Sequence, residues 1–242
     1  VGAAGQIEFR NGAISQITMK NILVLFCLGG LACAADFPNQ VVTKGLGYFP
    51  VAIALKNGDV LAVIRGGAPH IGVKGRLDLV RSTDGGKTWS APWTAVDGEL
   101  DDRNPAMGQL KDGTIVLAYA IASGYDETGL KFKGGRGDRV FDGVYLVFSK
   151  DNGKTWSKPV RDETTYRFYA GKGHISPYGK IIQMPDGMVV MAVYFEFFDE
   201  RGNQSFVFRS KDGGKTWGEP TLLGEHFNET GILRMKDGRL LA

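Results

Sequence analysis

The sequence lacks most of the features that mark disulfide-stapled, metal-binding, nucleic-acid-binding or membrane-spanning proteins. It has two cysteines and three histidines in 242 residues. No Cys/His cluster has metal-ligand spacing, so we expect no metal site and no cofactor. The formal net charge is +3, with acids interleaved among Lys and Arg, so no basic stripe predicts nucleic-acid binding. No apolar run is long enough to predict a membrane span.

A short apolar run near the N-terminus has the layout of a secretion signal. Ile22 to Leu31 follows a Met-Lys-Asn start and ends in the small-residue site Ala32-Cys33-Ala34. We therefore predict an upstream non-domain segment over residues 1–18, a signal peptide over 19–34, and a secreted or periplasmic product. Acylation of Cys33, which would make a lipoprotein, is the alternative. Both cysteines fall within this signal, so the mature chain would contain no disulfide.

The chain is rich in glycine, with 35 residues, and it contains a repeated octapeptide. Ser82–Trp89 reads STDGGKTW, and it recurs as SKDNGKTW over 149–156 and as SKDGGKTW over 210–217. The starts are 67 and 61 residues apart, which suits a four-stranded propeller blade with its loops. Serine and aspartate bind backbone groups in turns, and tryptophan fills space between sheets. We interpret the repeat as structural rather than catalytic.

A second repeat alternates with the octapeptide. Asn-Gly or Asp-Gly stands between two apolar runs at 57–58, 112–113, 186–187 and 237–238, which predicts four hairpins with type I′ turns. The two repeats together predict an all-β chain of three four-stranded antiparallel blades and the opening hairpin of a fourth. Residues 35–242 would be the N-terminal part of a propeller whose ring is completed by sequence after Ala242.

The octapeptide is the Asp-box, or bacterial neuraminidase repeat, and its setting resembles the sialidases from about Gly47 to Ala242. Arg103-Asn104-Pro105 is similar to the start of the family's second blade. Gly171-Lys172-Gly173-His174 resembles its Gly-Pro-Gly-His turn, and Asn228-Glu229 resembles its Asn-Glu segment. The resemblance implies a six-bladed β-propeller, of which about three and a half blades are present, with the substrate at the axis.

The same resemblance implies the chemistry of the site. An arginine triad would hold the sialic acid carboxylate, a tyrosine assisted by a glutamate would be the nucleophile, and an aspartate would be the acid/base. Glu229 stands at the position of that glutamate. Tyr48-Phe49-Pro50 replaces the family's Arg-Ile-Pro, and Val73 replaces its acid/base aspartate. We therefore expect little or no hydrolysis of sialosides. The other two arginines and the nucleophile would lie after Ala242.

Polar residues at the blade entrances form the candidate site, because entrances converge on the axis of a propeller. The predicted catalytic residues are Glu229, Asp101 and Asp102, one carboxyl acting as proton donor and another as base or nucleophile. The predicted substrate-binding residues are Arg103, Asn104, His70, His174 and Tyr48. The alternative for Asp101 and Asp102 is a solvated turn in which Arg103 pairs locally, and for His174 a satisfied turn histidine.

These expectations lead to an exported, exo-acting, sialidase-like glycoside hydrolase whose partner is a glycan or glycoconjugate substrate. The competing hypothesis is a noncatalytic propeller that binds a glycan or a protein, since one fold hosts many functions. The sequence leaves open which sugar is bound, the stereochemical outcome and the oligomeric state.

Overall fold

The computed structural model describes residues 40–45, 47–134 and 140–242, and this part of the chain is built almost entirely from antiparallel strands. The predicted signal peptide and both cysteines lie outside the described residues. The prediction of an all-β chain is confirmed. A single short helix, α1 (Glu163–Tyr169), stands among the described elements. Within these ranges no helix is long and apolar enough to cross a membrane.

The first blade is a four-stranded antiparallel sheet whose strands follow sequence order. Its strands are β1 (Tyr48–Ala54), β2 (Val60–Gly66), β3 (Arg76–Ser82) and β4 (Trp93–Val96). The side chains of β2 and β3 are buried along nearly their whole length. Apolar side chains of both strands pack against the second blade.

The second and third blades repeat this arrangement. The second contains β5 (Asp101–Gln109), β6 (Ile115–Ser123), β7 (Val140–Ser149) and β8 (Val160–Arg161). The third contains β9 (Gly173–Gln183), β10 (Val189–Phe197), β11 (Asn203–Ser210) and β12 (Gly218–Glu225). A final pair, β13 (Leu233–Arg234) and β14 (Leu240–Leu241), begins another hairpin. The four-stranded blades match the prediction, and a count of six blades stays a prediction.

The innermost strands β1, β5 and β9 lie side by side and join the blades. β5 and β9 pair in parallel at Ala106 with Gly179 and at Met107 with Lys180. The same glutamine contact links successive blades: the Lys56 N–H donates to Gln109 Oε1 at 2.7 Å, and the Lys111 N–H donates to Gln183 Oε1 at 2.7 Å. The starts of these three strands therefore converge at one end, as the sequence predicted for the blade entrances.

The four hairpins are confirmed, but the predicted turn type is wrong. In each, the glycine has positive φ, between 89° and 95°, and its N–H donates to the carbonyl three residues earlier. Asn57 has no positive φ, which a type I′ turn would require. The loop has one residue more than a two-residue hairpin, so the chain makes an ordinary turn and only the following glycine adopts the left-handed conformation.

Two clusters of buried apolar side chains fill the spaces between blades. One lies between the first and second blades and includes Leu61, Leu79 and Met107; the other lies between the second and third and includes Met191 and Phe195. Each later octapeptide packs on the preceding blade, because Gly153 approaches Leu61 and Gly214 approaches Val116. The octapeptides thus contact neighbouring blades, which agrees with their interpretation as structural.

Candidate active site

The site begins with irregularities at the starts of the innermost strands. β1 has a register shift between Tyr48 and Val51, and Phe49 there has φ 54°. β5 has a register shift between Arg103 and Ala106, and Asn104 there has φ 51°. Each of these residues precedes a proline, which has no N–H to donate to a ladder, so pairing breaks at that point. Bulges of this kind change the direction of side chains, here at the axial end of the blades.

A buried network of charges underlies this end. Asp101 is fully buried, and its Oδ1 accepts from the Arg65 Nε at 2.8 Å and pairs with the Arg65 Nη2 at 2.6 Å. Its Oδ2 accepts from the Arg103 Nη1 at 3.1 Å and from the Tyr125 hydroxyl. Arg65 uses its remaining donors on the carbonyl oxygens of Pro69 and Gly72. Such a buried carboxylate is stabilised by its partners and fixes their positions.

This network favours a positioning role for Asp101 over the proton-donor role that we predicted. Its two oxygens accept three hydrogen bonds and form a further ion contact with Arg65, so the carboxyl group has no open face to offer a substrate. The predicted local pairing of Arg103 is present, but the pair is buried rather than a solvated turn.

Arg103 lies at the centre of the cluster. Its Nε donates to Asn104 Oδ1 at 3.1 Å, and Asn104 Nδ2 donates to the Tyr194 hydroxyl at 2.7 Å. The guanidinium lies 5.4 Å from the Phe49 ring centroid and 5.9 Å from that of Phe141. Within the described residues, Nη2 has no hydrogen-bond acceptor. It is the unpaired edge of a guanidinium whose other nitrogens are held by Asn104 and Asp101.

Aromatic rings of the first blade lie beside Arg103. The His70 ring centroid is 5.5 Å from that of Tyr48 and 5.4 Å from that of Phe49. Burial, together with the charges of Arg103 and Arg65, lowers the pKa of His70, although Glu229 and Asp101 oppose this shift. His70 is therefore a neutral imidazole at neutral pH. The structure brings Tyr48 and His70 together, as predicted, and adds Phe49.

Glu229 reaches the same end from the segment that follows β12. Its side chain is exposed, and its charge acts on His70, Tyr178 and Tyr194. Burial and the nearby Glu229 carboxylate raise the pKa of Tyr178. Burial also raises the pKa of Tyr194 to about 12. Both tyrosines therefore keep their protons at neutral pH, beside a carboxylate that is open to solvent.

His174 is at the start of β9 and is buried among aromatic rings. Its ring centroid is 4.8 Å from that of Phe141 and 5.0 Å from that of Phe198. Since only 3% of its surface is exposed, His174 is placed to support Phe141, which in turn contacts Arg103. This arrangement agrees with the alternative of a satisfied histidine and favours an indirect role over contact with substrate.

Asp102 lies apart from the cluster. Neighbouring residues of a strand point to opposite faces, so Asp102 faces away from Asp101. It lines a cavity of about 250 Å³ with Tyr119, Val147 and Pro159, between the first and second blades. Its Oδ2 accepts from the Gly98 N–H at 2.7 Å, whereas its buried Oδ1 has no partner. Burial raises the pKa of Asp102 to about 6.

The Val73 position is covered by the loop that follows β6. Its N–H donates to the Gly129 carbonyl at 2.8 Å, and a side chain at Gly129 would collide with Val73. The loop carries Asp126 and Glu127 beside Val73 in a shallow depression. Asp126 accepts from the N–H and the hydroxyl of Thr128, so it stabilises the turn of the loop.

Sequence reasoning missed several residues of the cluster. Arg65, Tyr125, Tyr194, Phe49 and Phe141 all contact residues that it did find. The signal for Arg65 was present, since a lone arginine in a buried apolar strand requires a charged partner. No part of the described chain gathers three or more His, Cys, Asp or Glu into an arrangement suited to a metal ion.

Comparison with known proteins agrees with this architecture. A profile of the BNR repeat-like domain matches residues 65–242, which is most of the chain. The chain belongs to this family. Among BNR-repeat proteins it is a member of the sialidase superfamily, as its resemblance to sialidases predicted.

One relative with a similar sequence and two with similar structures show how far the similarity extends. A sialidase of Paraclostridium sordellii is 29% identical over 154 residues, which cover 58% of this chain and 37% of the relative. A Dyadobacter fermentans protein of unknown function has a TM-score of 0.63 and 25% identity, covering 81% of this chain and 60% of that one. The Ruminococcus gnavus intramolecular trans-sialidase, crystallised with oseltamivir carboxylate, has a TM-score of 0.60 and 16% identity, covering 82% and 65%.

The chain therefore spans less than two fifths of the length of the curated sialidases that it matches. The solved structure at 16% identity supports the fold alone.

Proposed function

We propose that this BNR-repeat protein is an exported, exo-acting glycoside hydrolase of the sialidase type, with its substrate bound where β1, β5 and β9 begin. The observation that carries the proposal is the convergence of Arg103, His70 and Glu229 at this end, from three different parts of the chain. A buried network of an ion pair and hydrogen bonds holds Arg103 in one orientation. Such preorganisation supports a binding or catalytic site, because a solvated surface does not need it.

Glu229 is the candidate catalytic carboxylate. It is exposed at the cluster and lies beside two protonated tyrosines, so it is placed to accept a proton from a hydroxyl group. Arg103 would donate from Nη2 to a substrate oxygen, and His70 would offer a neutral ring nitrogen. Asn104 and Asp101 would position Arg103, and Tyr48 would contact the substrate. His174 would support the site through Phe141.

The test is turnover of a panel of aryl glycosides by the protein and its Glu229→Gln variant. Losing a general base or an assisting carboxylate costs roughly a hundredfold or more in turnover, whereas the melting temperature should be unchanged because Glu229 is exposed. Glu225→Gln is the matched control, since Glu225 is an exposed acid at the end of β12. Equal turnover of the protein and the Glu229→Gln variant would remove Glu229 from the mechanism.

A noncatalytic glycan-binding propeller is the second candidate function. It is favoured by Val73 at the acid/base position and by Asp101, whose oxygens are all occupied. Glycan binding that survives Glu229→Gln, with no turnover of any glycoside, would establish this function and contradict the hydrolase.

A further inference from the structure

Aromatic side chains, rather than charged ones, form the wall of the site next to Arg103. Tyr48, Phe49 and His70 make one group of mutually contacting rings, and Phe141 lies on the other side of the guanidinium. Tyr48 and Phe49 are both half-buried, so each keeps part of its ring open to solvent at this end. Ring faces carry negative charge density, which attracts the C–H face of a sugar and disfavours an anion.

In the part of the chain that the structure describes, the charges of this buried network nearly cancel. Arg65 and Arg103 are its cations, and Asp101 pairs with both of them within 3.1 Å. Glu229 adds a second negative charge nearby, and His70 adds no positive charge because its pKa is lowered. At the described part of the site, a carboxylate-bearing sugar would therefore meet one partly free guanidinium, whose charge is offset by a buried aspartate, together with a like-charged Glu229.

The chain adopts an unfavourable backbone conformation to hold this wall. Phe49 has φ 54°, a value that is an outlier for a bulky residue and that persists only where surrounding structure imposes it. The register shift at the start of β1 places Phe49 where its ring contacts both His70 and Arg103. Strain at such a position is a mark of a residue with a specific task rather than of loose packing.

We propose that the site takes a neutral pyranoside, packed against the Tyr48 and Phe49 rings with its hydroxyls bound by Arg103 and Glu229, in preference to a carboxylate-bearing sugar. This inference rests on the proposed function and adds the class of substrate. Arg103 serves a neutral sugar as a hydrogen-bond donor, and Glu229 serves it as an acceptor. The Tyr48 and Phe49 rings then determine specificity.

The first experiment compares neutral and acidic ligands on one protein. Initial rates and binding are measured with 4-nitrophenyl hexosides and N-acetylhexosaminides in one arm, and with the N-acetylneuraminide and glucuronide in the other. We expect the best neutral glycoside to exceed both acidic ones by at least tenfold. Phe49→Leu should weaken the neutral arm by about tenfold, the upper range for one aromatic contact. Tyr166→Leu removes a ring under Arg161, 4.0 Å from its centroid, and is the matched control.

The second experiment reverses the charge preference. Tyr48→Arg places a guanidinium beside Arg103 and removes one ring of the wall, so binding of N-acetylneuraminate should strengthen about tenfold while neutral sugars weaken. Melting temperatures of all variants show whether a loss is only a failure to fold. The Tyr48→Arg result is a gain, which misfolding cannot produce.

The outcomes separate this inference from the function on which it rests. A preference of the unmodified protein for the N-acetylneuraminide or glucuronide would overturn the neutral-sugar inference and leave the glycoside hydrolase standing. Neutral binding that is indifferent to Phe49→Leu would also overturn it. Absence of both turnover and binding in both arms would contradict the proposed function, and the inference would fall with it.

Discussion

The two ends of the blades differ in whether their polar contacts repeat from blade to blade. At one end, the three octapeptides have the same contacts: Asp84, Asp151 and Asp212 each accept from two backbone N–H groups, a serine hydroxyl and a threonine hydroxyl. At the axial end, β1 and β5 share a bulge before a proline, but the polar side chains differ from blade to blade. Its residues are Tyr48 and His70 in the first blade, Asp101 and Arg103 in the second, and His174 in the third.

The difference shows which aspartates serve the fold and which serve the site. Hydrogen bonds from the Thr88 side chain and backbone lower the pKa of Asp84, and the equivalent bonds from Thr155 lower the pKa of Asp151, at positions open to solvent. These aspartates complete a local turn. Asp101 instead joins residues from three separate segments, so it belongs to the tertiary structure. Identical contacts in three places cannot serve one substrate, whereas unrepeated residues at one end can.

Removing one aspartate from each end tests this difference most directly. Asp101→Asn leaves Arg65 and Arg103 buried without a balancing charge, which should cost about 3–5 kcal/mol of unfolding free energy. Substrate binding should weaken as well, because Arg103 loses its anchor. Asp151→Asn, in an exposed turn, should cost clearly less. Urea unfolding of both variants measures the difference. Equal losses would mean that the two ends do not differ in the way proposed.

The tryptophans of the octapeptides test whether copies of the repeat with the same contacts also contribute equally to the free energy of unfolding. Trp217 is 1% exposed, whereas Trp156 is half-buried and its indole N–H has no partner. Trp217→Ala should therefore cost about 4 kcal/mol and Trp156→Ala about half as much. Chemical unfolding measures the loss of unfolding free energy in each variant. Turnover per folded molecule should persist in both variants, and a folded variant without turnover would contradict the structural role of the repeat.

The smallest expected effect distinguishes the two neighbouring aspartates at the start of β5. Burial raises the pKa of Asp102 to about 6, so the stability that its bound proton contributes is complete below about pH 4, its unfolded value. That contribution is lost as the pH rises from about 4 to 6. Asp102→Asn should then stabilise the protein by about 1–3 kcal/mol above pH 6 and have little effect near pH 4. Thermal melts across this range give the measurement.

An unchanged pH profile in the Asp102→Asn variant would show that folding does not shift the pKa of Asp102, and it would contradict the buried, protonated carboxyl group. Reduced turnover, with stability unaffected, would instead return Asp102 to the catalytic role that the sequence first suggested.

Local patterns in the sequence predicted most of the fold. The hydrogen bonds of each octapeptide lie within its eight residues, and those of each Asn-Gly or Asp-Gly turn lie within five. The local sequence is therefore enough to predict these structures. Helix α1 was missed, although Asp162 caps it by accepting from the Thr165 N–H at 2.7 Å and Glu163 follows in the first turn. That signal is short and stood inside a pattern dominated by strands.

The candidate site was predicted only in part. Arg103, His70, Tyr48 and Glu229 were found by position, and the structure brings them to one end. The separate surroundings of Asp101 and Asp102 were not found, because a strand of uncertain register does not reveal which face each residue takes. The proline-associated bulges at Phe49 and Asn104 add to this uncertainty, since each shifts the alternation by a residue.

Residue patterns are enough to predict the repeat, the all-β class, the hairpins and the family, because these depend on contacts between residues near one another in the chain. Which side chains meet at the axis depends instead on contacts between distant parts of the chain. Arg65 and Asp101 are 36 residues apart, and Asn104 and Tyr194 are 90 apart. Pairings of this range depend on how blades are stacked and where bulges interrupt their strands. Local propensity carries no information about either.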